Sequence, residues 1–563
     1  MTPSLLHPGL ILILGGFLCP LLKQPFRSLW ALLLPLAALL LVWLIPDGHF
    51  LSLSFMGYNL QPMVLDSLSR LFITVFSLMT FAGVLFCYKQ AGLTELSAAL
   101  VYAGAAIGVT LAGDLLTLFI FWEFMALAST LVIWSAKNKK SWHAGMRYIS
   151  MHLLGGVILM VGICAYTNET GNILFTAMHP DSFSTWLILI GFLVNVAAPP
   201  FSAWLPDAYP EASFSGMVFL SAFTTKTAVY VLLRGFPGTE LLIYIGLFMI
   251  FYGIIYALLE NDMRRILAYS IVNQVGFMVC GIGIGTELAL NGAAAHAFTH
   301  IIYKALLLMS AGSVLYMTGK RKCSDLGGLF QTMPLTCLCG VIGALSISAF
   351  PLTSGFVSKS MMTQAAGSEH MLMVWLLLQA ASAGVFLHAG IKFPWFVFFQ
   401  KDSGLRPGEP PLNMRLAMIF FAVLCIVIGI IPGVFYQMLP YKIDYVPYTA
   451  DHVVLQLQLL LFAGLAFFVM LPMMQRTLTI SLDFDWFYRV FLFRIWSAVL
   501  AGTRFLQRLL QGLRQLLVPV LLGQIIRFCG QRGLLVRDVQ TGIVVLLAVL
   551  FLMAYMLFYL ING

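Results

Sequence analysis

Apolar windows of about 20 residues, each long enough to cross a bilayer, succeed one another along almost the whole chain. They run at about 4–22, 29–46, 70–88, 95–113, 115–135, 148–166, 185–205, 213–234, 241–259, 266–285, 288–317, 334–366, 371–400, 415–436, 453–474 and 541–561. Backbone groups in lipid must be satisfied within their own segment, and the alternation that marks a transmembrane barrel is absent. The pattern therefore predicts an all-α polytopic membrane protein of about 16 transmembrane helices. The first apolar segment lacks a basic leading region and a small-residue cleavage motif, so it reads as a retained helix.

Three stretches depart from plain apolar helix. "NVAAPPFSAWLPDAYPEAS" (Asn195–Ser213) and "SAFPLTSGFVSKS" (Ser348–Ser360) crowd proline and polar residues into two of the windows. Proline removes a backbone donor, and broken backbone at membrane depth is tolerated only inside protein or beside a water-filled cavity. Paired broken helices mark transporter repeats and ion paths, although ordinary proline kinks give the same letters. Over residues 481–540, Arg489, Arg494, Arg504, Arg508 and Arg514 fall within about half of a helical circumference, which predicts an amphipathic lateral helix along the membrane interface. Residues 541–563 would then be its anchor helix.

Composition agrees: 61% of the 563 residues are hydrophobic and 9% are charged. The net charge of +9 is read as basic loops and not as a nucleic-acid surface. Lys23, Arg27, Lys89, Lys137, Lys139, Lys140, Arg264, Arg265, Lys320, Arg321, Lys322, Lys401 and Arg406 all fall on one side of the helical alternation. The positive-inside rule puts that side in the cytoplasm and the N-terminus outside, with a bacterial cytoplasmic (inner) membrane as the expected location. The nine cysteines are scattered, and no zinc, haem, iron–sulfur, Walker or dinucleotide pattern is present. No cofactor, metal or catalytic residue is expected.

The remaining charges lie inside the apolar windows, where each is expensive. Glu123, Lys226, Lys304, Lys359 and Lys392 form the main set, with His296 and His300 in register with Lys304 at steps of four. Asp114, His152 and His388 are secondary members. Carboxylates, amines and imidazoles shifted by burial exchange protons near neutral pH, so the set suggests a proton relay. Each residue also has a plainer reading. Glu123, Lys226 and Lys304 would serve as ion-pair partners between helices, Lys359 and Lys392 would snorkel, and the histidines would pack.

The motifs "FWEFMALAST", "WLPDAYPEAS", "LLENDMRRILAYSIVNQVGF", "HAFTHIIYKALLLMSAGSV" and "FPLTSGFVSKS" occur in that order over about 60–400. With them the chain resembles the antiporter-like subunits shared by Mrp-type cation/proton antiporters, the D-type most closely, and the proton-pumping membrane arm of respiratory complex I. The resemblance implies two inverted five-helix repeats at 95–234 and 241–400, each a half-channel. N-terminal helices over 1–94 would precede them, and additional helices over 415–474 would follow. It implies a relay through Glu123, Lys226, His300, Lys304 and Lys359, with His296 beside it and Lys392 at the position matching Lys226. Asn195 stands where the family usually carries a lysine on the first broken helix, so either Lys226 becomes the partner of Glu123 or the relay is altered. That makes Asn195 a candidate determinant of what is carried.

The function implied is a proton-translocating subunit of a multisubunit cation/proton antiporter, with Na⁺ the expected ion and other membrane subunits and the bilayer as partners. Two alternatives stay open. One is a proton-conducting coupling subunit, in a complex I-like quinone oxidoreductase assembly or in inorganic-carbon uptake. The other is a structural scaffold with an inactive channel.

Overall fold

A helix satisfies its own backbone, and sixteen apolar windows fold accordingly. The computed structural model describes residues 6–55, 57–442, 444–472, 483–484, 486–530 and 541–562. Among them, fourteen helices are long and apolar enough to cross a membrane, and Pro8–Leu21, Phe183–Val196 and Pro334–Ile347 are apolar but shorter. With Arg489–Cys529 set aside as the amphipathic segment, sixteen remain, one at each expected position. The chain divides into two units, Met1–Phe484 and Asp485–Gly563.

The first unit opens with α1 (Pro8–Leu18) and α2 (Phe26–Leu44). The purely helical expectation then fails once: β1 (Gly48–Phe55) and β2 (Tyr58–Leu65) form an antiparallel hairpin. Leu51, Leu53 and Phe55 alternate with serines, the period of a strand and not of a helix. The hairpin is tied to the bundle where Gly113 N–H donates to Gln61 O at 2.9 Å and Gln61 N–H donates to Asp114 Oδ2 at 2.7 Å.

After α3 (Ser67–Phe86), capped by Asp66, two series of elements follow. The first is α4 (Leu93–Leu111), α5 (Leu115–Trp134), α6 (Lys139–Thr170), α7 (Phe183–Val196), α8 (Trp204–Ala208), α9 (Gly216–Leu220) and α10 (Thr224–Gly235). The second is α11 (Leu241–Leu259), α12 (Met263–Ile284), α13 (Glu287–Thr318), α14 (Pro334–Ile347), α15 (Ser354–Ser368) and α16 (Leu372–Val385). π-Helical turns over Phe386–Lys392 and Trp395–Phe399 continue α16. Helices of 19, 20 and 32 residues precede the break in the first series, and helices of 19, 22 and 32 precede it in the second. α17 (Leu412–Ile430), α18 (Pro432–Tyr436) and α19 (Ala450–Met470) complete the unit.

Small residues set the closest packing. Along the seam of α11 and α12, Gly246 faces Gly276, Gly253 faces Tyr269 and Asn273, and Gly283 faces Leu242 and Ile243. A Cβ at Gly276 would lie 2.7 Å from Gly246 O, so the backbones touch. At one end of the bundle, Arg321 reaches Glu211 at 2.8 Å and Asp262 at 2.6 Å, while Arg264 donates to Ala212 O at 2.9 Å and Ser213 O at 2.7 Å. Burial lifts the Asp262 carboxyl above its ordinary value, and the charge of Arg321 opposes that lift. The charges of "WLPDAYPEAS" and "LLENDMRR" therefore clamp the two series together.

In the second unit, α20 (Leu492–Cys529) and α21 (Thr541–Asn562) are the expected amphipathic and anchor helices. The flanks of the predicted lateral segment, 481–482 and 531–540, lie outside the described residues, as does 485.

Candidate functional site

Both breaks are made in the same way. The backbone turns left-handed at Ala197, just after α7, and at Ala349, two residues after α14, with φ of 63° and 56°. Ala198 N–H returns to Leu193 O and Phe350 N–H to Leu345 O, both at 3.0 Å, the close of a helix that cannot continue. Such a φ on a non-glycine residue costs on the order of 1 kcal/mol, which packing must offset. The break also opens carbonyls to further donors. At the first, Val194 O keeps a backbone donor, Ala197 N–H at 3.1 Å, and accepts a second bond from Trp204 Nε1–H at 2.9 Å. At the second, the Lys359 ammonium donates to Ile347 O at 2.7 Å.

Two more buried lysines follow that rule. Lys226 donates to Ser221 O, the residue closing α9, at 2.6 Å, and to Thr225 Oγ1 at 3.1 Å. Lys392, in the π-helical turn, donates to Ala257 O, Leu258 O and Glu260 O at 3.0, 2.5 and 2.6 Å, where α11 ends. The carboxyl end of a helix is the negative end of its dipole, so each ammonium is held without a carboxylate. Lys304 differs. It is fully buried in mid-helix, and among the described residues its Nζ has no hydrogen-bond partner.

In the first series, Glu123 lies partly exposed on α5 with Oε1 turned inward against Gly156 of α6. It makes no ion pair with Lys226 among the described residues, so the expected substitute partnership is not formed. One turn from Gly156, His152 Nδ1 meets Asn195 Oδ1 at 2.8 Å. The His152 ring is enclosed by Tyr148 and Trp204, with centroids 4.1 and 4.6 Å away. Tyr148 Oη continues to Ser129 at 2.9 Å and Thr224 at 3.3 Å, two residues from Lys226. Asp114 stands apart as the N-cap of α5, accepting from Thr117 N–H, Thr117 Oγ1 and Gln61 N–H, each at 2.7 Å.

In the second series, His296 joins α13 to α12 and α15. Its Nδ1 lies 3.0 Å from Ser358 Oγ and its Nε2 lies 3.2 Å from Gln274 Oε1. Tyr303 Oη donates to the same Gln274 oxygen at 3.1 Å. His300 has the opposite character: both ring nitrogens are buried without a hydrogen-bond partner among the described residues. His388 donates from Nδ1 to Gly384 O at 2.8 Å inside its own turn. The polar partners Gln274, Tyr148 and Ser358 escape the sequence reading. The adjacent Asn273 and Gln274 in an apolar run are the available signal. Among the described residues, no group of three or more His, Cys, Asp or Glu side chains is placed to hold a metal ion.

Buried lysines and histidines set among long apolar helices define an integral membrane protein with a polar interior. Residues 112–385 match the family described as NADH:quinone oxidoreductase/Mrp antiporter, TM. Over this stretch, just under half of the chain, it is similar to the membrane subunits of NADH:quinone oxidoreductases and Mrp antiporters. The A/B subunit of a probable K(+)/H(+) antiporter of Rhizobium meliloti is 31% identical over 360 residues, covering 59% of this chain and 36% of the relative. The D-type subunit of the Na(+)/H(+) antiporter of Alkalihalophilus pseudofirmus is 33% identical over 274 residues, covering 45% of this chain and 55% of the relative. The chain thus spans about a third of the first relative and about half of the second. The fold is that of a chain in the Mrp complex from Dietzia sp. DQ12-45-1b, with a TM-score of 0.69 and 20% identity over 83% of this chain and 99% of that one.

Proposed function

We propose that this chain is the proton-translocating subunit of a multisubunit cation/proton antiporter in a bacterial inner membrane, with Na⁺ the exchanged ion and the N-terminus outside. The observation that carries the reading is the row Lys226, Lys304 and Lys359, buried with no carboxylate in hydrogen-bonding contact among the described residues. A scaffold gains nothing from keeping such groups in lipid. Residues 95–234 and 241–400 would act as inverted half-channels, joined by His296, His300 and Lys304 and leaving through Lys359. Asn195 and His152 would tune the first half, and Lys392 and His388 would hold the end of the second. Asp114 would act as a cap and not as a relay member.

Glu123 supports the multisubunit part. It is partly exposed between Ile120, Phe124 and Leu127, an apolar face on which a carboxylate would be costly against lipid. A neighbouring subunit covering that face removes the difficulty. Residues 481–563 would clamp such neighbours, so their deletion should dissociate the assembly. An intact complex without them would refute the clamp.

A second reading, a coupling subunit that passes protons to drive a redox module, is favoured by the oxidoreductase half of the family description. Inverted vesicles containing the chain with its native neighbours separate the two. Collapse of an imposed proton gradient on adding Na⁺, K⁺ or Li⁺, lost in Glu123→Ala, is the antiporter result. Proton movement that depends on Glu123 but ignores every cation is the coupling result.

A further inference from the structure

Two cavities meet beside the second broken helix. The larger, about 580 Å³, is lined by Thr363 and Gln364 of α15, Gln379 of α16, and Asp444, Asp451 and His452. It lies at the end of the helices opposite the basic loops. The smaller, about 30 Å³, is lined by Lys359 and Ser360 and has room for one or two waters. Thr363, Gln379, His452 and Leu455 line both, so the His452 ring stands on the partition between the larger cavity and Lys359.

The ring is held in a particular way. His452 Nδ1 lies 3.2 Å from Pro447 O, which can only accept, so Nδ1 carries a hydrogen. Nε2 lies 3.1 Å from the Gln364 amide oxygen. An amide presents either its oxygen or its NH₂ group to the same neighbour after a half-turn. With oxygen toward the ring, both nitrogens donate and the ring is an imidazolium. With NH₂ toward it, Nε2 accepts and the ring is neutral. The site accommodates one proton more or less without moving the ring.

We propose that His452 is the proton-exchanging residue between Lys359 and the aqueous mouth, with Gln364 as its positioning partner. One proton leaves the Lys359 ammonium, crosses the small cavity through water or Ser360, and arrives at His452 Nε2. The lysine becomes a neutral amine and the imidazole a cation. His452 then gives that proton to water in the large cavity and returns to neutral. The charged and titratable groups facing it are Lys359 from α15, Asp444 and Tyr445 from the preceding loop, with the Tyr445 ring 6.2 Å away, and Asp451 on its own helix. From α16 come the neutral Gln379 and Ser382.

This inference rests on the proposed proton translocation, and the same vesicles test both. His452→Ala should slow gradient collapse at least about tenfold while the complex still assembles. Added imidazole should restore it. Pyrazole, which fills the same space but is too weak a base to carry the proton, should not. Gln364→Leu should slow exchange and shift its pH profile. A His452→Ala rate equal to wild type overturns the proposal, and so does equal rescue by pyrazole, which would mean a packing role. If His452→Ala does not assemble, His452→Gln takes its place with the same expected loss. Absence of any proton movement in wild type is the separate result that sinks the functional reading and this inference with it.

Discussion

The two broken helices are alike in backbone and unlike in chemistry. Each turns through a left-handed alanine and closes with the same backbone return. Yet at the first an indole adds a second donor to Val194 O, which also accepts from Ala197 N–H, and at the second an ammonium satisfies the freed carbonyl of Ile347. The first break keeps its titratable group on another helix, where His152 meets Asn195, and the second carries Lys359 on the helix that resumes. The break is therefore a backbone device, and the charge placed in it is a separate choice. A lysine fits there because the open helix end supplies acceptors, and an asparagine fits when a neighbour supplies the imidazole.

The largest effect expected on that contrast comes from Lys359→Leu, which should reduce proton movement in vesicles to background. It removes the ammonium at the second break and leaves Ile347 O without that donor. Retained movement would mean the second break is only a kink. Next, Gly156→Ala keeps every titratable group but places a Cβ against Glu123 Oε1, closer than van der Waals contact allows. The carboxylate must turn away, and gradient collapse should slow on the order of tenfold. Wild-type rates would show that the inward position of Glu123 is incidental.

A smaller effect is expected from Asn195→Lys, which makes the first break resemble the second and sets an ammonium beside His152. The pH profile of transport should move, and His152→Gln in the same chain should remove the new dependence. An unchanged profile would put Asn195 outside the path. The smallest effect on transport belongs to Trp204→Phe. It removes one of the two donors to Val194 O and should lower the stability of the purified complex by about 0.5–1.5 kcal/mol, read by thermal melting, with transport preserved. Loss of transport at unchanged stability would show that the indole itself belongs to the path.

Much of the molecule is legible in its letters. The sixteen windows, both breaks, the arginine-bearing amphipathic helix and the buried lysines all stand where the apolar pattern puts them. The hairpin is less legible, although Leu51, Leu53 and Phe55 carry its period. Its strands are short and lie between stronger apolar signals. The π-helical turns around His388 and Lys392 have no signature, because an inserted residue in a helix leaves the composition unchanged. His452 reads as an ordinary residue at a helix start, and only the cavity beside Lys359 distinguishes it.

What the sequence determined by itself is how many times the chain enters the membrane, where those helices break, and which charges they take with them. Partition into lipid is a property of each segment of about 20 residues, and proline acts on its own turn, so both are written locally. Tertiary structure decided what each charge touches. Lys392 finds carbonyls 132 to 135 positions away, Asn195 finds His152 43 positions away, and Glu123 fails to reach Lys226. Such pairings depend on how helices turn against one another. Close-packed glycine seams and the clamp at Arg321 fix those rotations to within a hydrogen bond, and the spacing of residues along a single segment does not encode them.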